Sequence, residues 1–297
     1  MIALNIGEGD EVIIPSLTFI ANANVVNLVG AIPVITDSTS LTDWNVSLDE
    51  IKSKVNKKTK AVIVVHYAGY PLKDIKEISD FCKENNIYLI EDVAHAPGAS
   101  VGGQKCGTFG DIGCFSFFSN KNLSIGEGGM VSTKNTKLIE KLSYLRSHGM
   151  TALSFDKHKG RAVTYDVLIP GLNYRMDEIR AAIGNIQLKK LSASNKSRAK
   201  LTEIYRSNLK NSSIIIPFED QPGNTKSVFH ILPVLLPKNK DRSSIIEELK
   251  TSRIQSSIHY PPFWSFSAFK GDFSPKDAPI TAEICNCLLY TSPSPRD

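Results

Sequence analysis

The chain has 297 residues, of which 41% are hydrophobic and 22% are charged, and it carries a formal net charge of +5. This composition is typical of a globular protein with one large core or two domains, and the charge is too dispersed to predict a nucleic-acid-binding surface. No apolar run approaches the roughly 18 residues of a membrane span, the N-terminus lacks a signal-peptide pattern, and five cysteines without paired metal-ligand spacing argue against zinc and for a reduced, cytoplasmic location.

Predicted strands and helices alternate through the first half of the chain. Residues 61–67, AVIVVHY, form a continuous apolar run, which is typical of a strand that is covered on both faces. Further strands are predicted at 11–18, 31–36 and 88–90, and helices at 20–29, 47–55 and 72–85. Strands that alternate with helices predict βαβ units, and therefore a mostly parallel sheet with helices on both faces.

The second half of the chain has a more mixed pattern. A helix is predicted at 136–148, and a longer helix begins at Met176 and continues through Leu191. A strand at 228–236, a helix at 242–249, a short strand at 255–260 and an apolar helix at 284–289 follow. The polar residues 290–297, YTSPSPRD, predict a disordered tail, which we interpret as non-native sequence, with a natural polar tail as the alternative.

Carboxylate and imidazole side chains follow the strand predicted at 88–90. These residues are Glu91, Asp92 and His95. In an open α/β sheet, ligands bind at the carboxyl ends of the strands, where a carboxylate could keep a cationic ring nitrogen protonated. An acidic turn that caps the next element is an equally good interpretation of the same residues.

One lysine stands between two predicted strands in the stretch FSFFSNKNLSIGEGGMVST, residues 115–133. At the end of a strand Lys121 would be partly desolvated, which lowers the pKa of an amine and lets it form a Schiff base. Ser116 and the glycine-rich turn at 126–129 supply hydroxyl and amide donors of the kind that bind phosphate. A solvated surface lysine is the alternative, and a nucleotide P-loop is excluded because the sequence lacks G-K-[ST].

A carboxylate, a lysine and a phosphate cradle on a parallel sheet together suit pyridoxal phosphate. The sequence also resembles the DegT/DnrJ/EryC1/StrS family of sugar aminotransferases. The resemblance covers nearly the whole chain through eight segments in the family's order: 7–26, 30–37, 64–71, 91–99, 110–133, 146–150, 171–184 and 257–262. It implies an aspartate-aminotransferase-like α/β fold (fold type I), with a mostly parallel sheet and a smaller C-terminal α/β domain.

The resemblance implies a cofactor role for six residues of this sequence. Lys121 would form the Schiff base with pyridoxal phosphate and shuttle protons, and Asp92 would pair with the pyridine nitrogen. The other implied contacts are His95 at the ring, Phe19 beside the ring, Ser116 at the phosphate, and Asn173, which would reach the phosphate bound by the other subunit of a homodimer.

The implied reaction moves an amino group from glutamate to a keto-sugar linked to a nucleotide. His259 and Tyr260 match a loop near the sugar, although simple packing remains an alternative for both. Sugar dehydratases of the same family carry histidine at the position of Lys121, which argues against that activity. Cysteine desulfurases place a histidine before the lysine, where this chain has Asn120. A truncated, non-catalytic chain is the third hypothesis.

The resemblance also divides the chain into regions. It implies a large cofactor-binding domain at 1–190, without the preceding helix whose Gly-Thr turn binds the cofactor phosphate in the family. It implies a small domain at 191–289, without a final helix, and residues 290–297 would be the non-native tail. We therefore expect the sequence to be a fragment.

Overall fold

The computed structural model describes residues 1–151 and 164–291. The strands of its first half are β1 Glu11–Pro15, β2 Ile32–Thr36, β3 Thr59–Val65, β4 Tyr88–Asp92, β5 Ser100–Val101, β6 Gln104–Lys105, β7 Ile112–Ser116 and β8 Gly129–Ser132. Six of them form the central sheet, in the order β2-β1-β3-β4-β7-β8. Adjacent strands of this sheet are parallel, except that β8 pairs antiparallel with β7. The predicted, mostly parallel sheet is confirmed.

Helices cover both faces of the central sheet, as the sequence predicts. They are α1 Ala21–Asn27, α2 Leu48–Lys54, α3 Ile75–Glu84 and α4 Thr136–Arg146. The alternation along β1 divides the core, since Val12 and Ile14 pack on the side of α1 and α4 while Ile13 packs on the side of α2 and α3. Because both faces are covered, the central strands are apolar throughout instead of alternating with polar residues.

A helix of 32 residues, α5 (Glu178–Leu209), crosses the predicted domain boundary at residue 190. Asp177 caps its first turn, because the carboxylate accepts a hydrogen bond from the backbone N–H of Arg180. Since the helix is continuous, the division into 1–190 and 191–289 stays a prediction. Within the ranges that the structure describes, neither α5 nor any other helix is long and apolar enough to cross a membrane.

The C-terminal residues form a second, smaller sheet. The remaining elements are β9 Thr225–Lys226, β10 Leu232–Leu235, α6 Arg242–Thr251, β11 Ser256–Ser257, α7 Pro279–Cys287 and β12 Leu288–Thr291. The small sheet has the antiparallel order β10-β12-β11, and it shares a hydrophobic cluster with α5 and α6. Phe263 and Phe269, in contrast, pack against the core of the central sheet.

The structure differs from the sequence prediction near the C-terminus. The apolar run predicted as a helix at 284–289 is divided, because α7 ends at Cys287 and β12 begins at Leu288. Tyr290 and Thr291, which were predicted to begin a disordered tail, pair with Pro233 and Leu232. Residues 292–297 lie outside the described residues, so the non-native origin of the tail stays a prediction.

We expect the substitution Leu89→Ala to destabilise the protein. Leu89 lies on β4 with 1% of its surface exposed, in the cluster shared with α2 and α3. Removing its side chain leaves a cavity, and the free energy of unfolding should fall by about 2–5 kcal/mol. Chemical denaturation followed by circular dichroism measures this loss. Leu28→Ala is the control, because Leu28 is 83% exposed, and equal losses in the two variants would contradict the assignment.

Candidate active site

The carboxyl ends of β4 and β7 lie side by side in the central sheet. Their parallel register pairs Asp92 with Cys114, so the residues that follow the two strands meet at one edge. β7 ends at Ser116. Lys121 lies in the turn that follows, where its backbone N–H donates to the carbonyl of Phe118 at 2.9 Å. The strand ends therefore gather an amine and a carboxylate where open α/β sheets bind ligands.

Asp92 is held by two donors, one for each carboxylate oxygen. Asn22 on α1 donates from Nδ2 to Asp92 Oδ2 at 3.0 Å, and the backbone N–H of Ala94 donates to Oδ1 at 2.9 Å. Asn22 is itself oriented by a bond of 2.8 Å to Thr18 Oγ1. An ionised carboxylate accepts about four hydrogen bonds, so Asp92 is oriented and still has acceptor capacity for a further donor.

Lys121 is a half-buried amine. Burial lowers the pKa of its ammonium group below the usual value, and the nearby charge of Asp92 opposes this effect. Among the residues that the structure describes, no salt bridge holds Lys121. An amine with a lowered pKa is more often neutral near pH 7, and a neutral amine is both a nucleophile and a base.

His95 is a buried, neutral imidazole with a defined tautomer. The backbone N–H of Ala68 donates to His95 Nδ1 at 3.2 Å, so the ring proton lies on Nε2, which is 3.0 Å from the hydroxyl of Tyr260. Burial lowers the pKa of His95 well below its usual value, and the positive charge of Lys121 lowers it further. His95 therefore adds a flat, uncharged ring to the site and donates to Tyr260.

The loop that contains His259 and Tyr260 lies against this ring. The ring centroid of Tyr260 is 6.2 Å from that of His95, 5.5 Å from Phe19 and 4.4 Å from His259. The hydroxyl of Tyr67 donates to the carbonyl of His259, which fixes the loop to the large sheet. Burial lowers the pKa of His259 to about 4. The structure thus brings Phe19, His259 and Tyr260 together with His95.

Ser116 and Asn173, the two predicted phosphate contacts, lie in different surroundings. Ser116 is half-buried at the end of β7, where its Oγ accepts from the backbone N–H of Phe118 at 3.4 Å. Its own hydroxyl proton stays available for a ligand. Asn173 is exposed, and its backbone pairs with that of Ser147, next to the end of α4.

Glu91 is separated from the neighbouring Asp92 by the alternation of the strand. It is fully buried, and its two oxygens accept four hydrogen bonds of 2.7–3.0 Å. The donors are His66 Nε2 and the backbone N–H groups of Gly107, Phe109 and Gly110. Burial by itself would raise the pKa of Glu91, but these donors hold it below the usual value. Glu91 is therefore a structural anchor for this loop.

The sequence analysis missed the polar residues that hold these groups in place. Asn22 supports Asp92, while Asn122, Asn195 and His230 form a hydrogen-bond network beside Lys121. Each partner lies far away along the chain, so no local pattern marks these residues. The position of Asn122 directly after the lysine is the one sequence feature that could have drawn attention to it.

Comparisons with known proteins agree with this arrangement. A model of the DegT/DnrJ/EryC1/StrS aminotransferase family matches residues 1–293. GDP-perosamine synthase from Escherichia coli O157:H7 is 36% identical over 265 residues, which are 88% of this chain and 68% of that protein. UDP-N-acetyl-3-dehydro-alpha-D-glucosamine 3-aminotransferase from Acidithiobacillus ferrooxidans is 38% identical over 260 residues, 87% of this chain and 66% of that protein.

A solved structure shares the fold over almost the full chain. The structure of the protein Spr1654 from Streptococcus pneumoniae in its pyridoxal phosphate (PLP) form matches this chain with a TM-score of 0.87 and 27% sequence identity. The match covers 99% of this chain and 78% of that protein. The similarity includes both the central sheet and the C-terminal sheet, and the resemblance inferred from eight sequence segments is confirmed.

We expect Glu91→Gln to destabilise the protein at neutral pH. The amide N–H₂ of glutamine would face N–H donors, and each buried donor left without an acceptor costs about 1–3 kcal/mol in free energy of unfolding. Because the pKa of Glu91 is lowered in the folded state, its contribution is present above the usual pKa of glutamate and is lost as the pH falls through the lowered value. Chemical denaturation at pH 7 and at acidic pH measures the free energy of unfolding. The difference between the variant and the wild type should therefore be smaller at acidic pH than at pH 7.

Glu84→Gln is the control for this prediction, since Glu84 is exposed at the end of α3. Its free energy of unfolding should follow that of the wild type at each pH. A Glu91→Gln variant as stable as the Glu84→Gln variant at pH 7 would show that the four donors do not need a carboxylate.

Proposed function

This chain belongs to the DegT/DnrJ/EryC1/StrS aminotransferase family, and on this premise we propose that it uses pyridoxal phosphate to transfer an amino group from glutamate to a nucleotide-linked keto-sugar. The observation that carries the proposal is the position of Lys121, a half-buried amine without a salt bridge among the described residues, at the sheet edge that also carries Asp92. The named relatives act on GDP-linked and UDP-linked sugars, which supports a nucleotide-linked substrate here.

The donors and acceptors of the site fit pyridoxal phosphate. Asp92 is oriented by Asn22 and Ala94 and retains acceptor capacity for a protonated pyridine nitrogen. The rings of His95 and Phe19 offer flat surfaces for a planar cofactor, and the hydroxyl of Ser116 can donate to a phosphate oxygen. When bound, the cofactor supplies an aldehyde that carries amino groups and a cationic ring that withdraws electrons.

Lys121 is the residue that we assign to covalent binding and proton transfer. Lys121 would hold the cofactor through its aldehyde carbon, and the lysine nitrogen would accept a proton as an amine and return it as an ammonium group. Both roles need a pKa closer to neutrality than that of an exposed lysine, and the burial of Lys121 supplies this change. Asp92 would hold the ring nitrogen of the cofactor, and its negative charge would favour the protonated form of that nitrogen.

His259 and Tyr260 are proposed to face the sugar. His259 Nδ1 lies 3.2 Å from the carbonyl of Ile258, so this nitrogen carries the ring proton and Nε2 is left as an acceptor. Tyr260 accepts from His95, and its own hydroxyl proton can be donated to a ligand. Neutral donors and acceptors of this kind are suited to sugar hydroxyl groups, which carry no charge.

A homodimer with shared active sites is part of the proposal. The segment around Asn173 exposes large apolar side chains, which a second copy of the chain would cover. These are Leu172 at 46%, Tyr174 at 75%, Ile179 at 76%, Ile183 at 44% and Ile186 at 52% exposure. Exposed apolar surface of this kind marks protein interfaces. In such a dimer we assign Asn173 to the cofactor phosphate in the other subunit.

We expect Lys121→Ala to abolish both the visible absorption of the bound cofactor and all transamination, because Lys121 is the amine that the described part of the chain brings to the site. Absorption spectroscopy after addition of pyridoxal phosphate, and an assay of 2-oxoglutarate formation from glutamate, measure the two losses. Lys134→Ala, at an exposed lysine beyond β8, is the control and should retain both properties. Transamination by the Lys121→Ala variant at the wild-type rate would disprove the assignment.

We expect Asp92→Asn to keep the fold and to lower kcat/KM for transamination by about a hundredfold or more. The amide has the same shape but no charge, so it cannot keep the pyridine nitrogen protonated. Steady-state kinetics measure the loss, and thermal denaturation checks the fold. Asp80→Asn, at an exposed position on α3, provides a matched control. Equal kcat/KM values in the two variants would exclude a role for Asp92 at the ring nitrogen.

A further inference from the structure

The residue that follows Lys121 lies at the centre of a hydrogen-bond network. Asn122 Nδ2 donates to Asn195 Oδ1 and to the carbonyl of Val228, both at 3.0 Å. Asn122 Oδ1 lies 2.9 Å from Nδ1 of His230. One short side chain therefore makes three hydrogen bonds to residues that are distant along the sequence.

The orientation of every group in this network follows from two backbone carbonyls, which only accept hydrogen bonds. The carbonyl of Val228 must face the amide nitrogen of Asn122, so Asn122 Oδ1 is the atom that faces His230. The carbonyl of Pro97 must face Nδ2 of Asn195, at 3.2 Å, which leaves Asn195 Oδ1 to accept from Asn122. His230 then carries its proton on Nδ1, and donors and acceptors match throughout.

The network joins the elements that form the site. Asn195 is a buried residue of α5, and Pro97 lies in the loop after β4, two residues beyond His95. The ring of His230 is 4.5 Å from that of His95, and its backbone N–H donates to the carbonyl of Ala68 at 2.8 Å. Asn122 is thus connected to the same segments that orient His95.

We infer that Asn122 is a positioning residue, which holds the amine of Lys121 inside the site by fixing the adjacent backbone to α5 and to the segment at 228–230. The inference rests on the proposed role of Lys121 as the reacting amine. Two backbone hydrogen bonds of 2.9 Å also hold this segment: Lys121 N donates to Phe118 O before the lysine, and Ile125 N, after Asn122, donates to Phe117 O. Because the main chain is held on both sides of Lys121, the position of its amine depends on the torsions of the lysine side chain.

Loosening this anchor should change the titration of Lys121. The charged and titratable groups that face its amine are Asp92 and His95 from the end of β4, and His259 from the loop of the C-terminal region. Burial is the leading cause of the lowered pKa of Lys121. If the loop moves outward, water reaches the amine and its pKa rises toward that of an exposed lysine.

The test measures how the rate of acetylation of Lys121 by acetic anhydride depends on pH. It uses the full chain before pyridoxal phosphate is added, and peptide mass spectrometry quantifies the acetylated lysine. For Asn122→Ala we expect the midpoint of the profile to move to higher pH. A shift of one unit would mean about tenfold less neutral amine at a fixed pH below the midpoint. Asn120→Ala is the matched control, because Asn120 is the exposed neighbour on the other side of the lysine, and its midpoint should equal that of the wild type.

A pair of variants at His230 separates positioning from a general loss of stability. In His230→Asn, the amide can replace the Nδ1 donor to Asn122, and we expect a midpoint near that of the wild type. In His230→Ala the donor is lost, and we expect the midpoint to move as in Asn122→Ala. Equal midpoints in Asn122→Ala and Asn120→Ala, or equal midpoints in the two His230 variants, would overturn the inference. This reactivity is measured without transamination, so a failure of the inference can be distinguished from a failure of the proposed function.

Discussion

The parallel pairing of β4 with β7 is the constraint on which the site depends. It places Asp92 opposite Cys114, so that the strand that carries the carboxylate lies beside the strand that leads to Lys121. A shift of one residue in a strand would move each side chain to the opposite face. Such a shift would exchange Asp92 with Glu91, whose carboxylate is bound by four donors in the interior. The buried bonds of Glu91 therefore keep Asp92 directed toward the site.

Among the residues that the structure describes, the charged groups at the site are the amine of Lys121 and the carboxylate of Asp92, and the rings around them are neutral. His95 and His259 could each carry a proton, but burial and the nearby charge of Lys121 lower the pKa of both. Tyr260 stays protonated because burial raises its pKa, and the charge of Asp92 raises it further. The proposed cofactor, with a cationic ring, an aldehyde and a phosphate, would meet few competing charges in this site, and the charge of Asp92 would act on it with little screening.

Local sequence patterns predicted the central sheet and the helices on both faces, while the family resemblance implied that Lys121, Asp92 and His95 meet in one site. Apolar runs and helical spacing carry the information about the sheet and helices, and the strand order of the structure then places the ends of β4 and β7 side by side. The pattern did not predict that Tyr290 and Thr291 form a strand, because their pairing with β10 depends on residues far away in the chain. The same holds for Asn122, because its hydrogen-bond partners Asn195, Val228 and His230 are distant along the chain and no local pattern indicates them.

The central claim is that Lys121 supplies the amine of the site, and chemical fixation of the cofactor tests it most directly. The chain would be incubated with pyridoxal phosphate, reduced with borohydride and digested, and the modified peptide would be identified by mass spectrometry. We predict a single major adduct on Lys121. This adduct should disappear when an excess of a free amine is added to compete for the cofactor. An adduct distributed over exposed lysines, with Lys121 unmodified, would contradict the account.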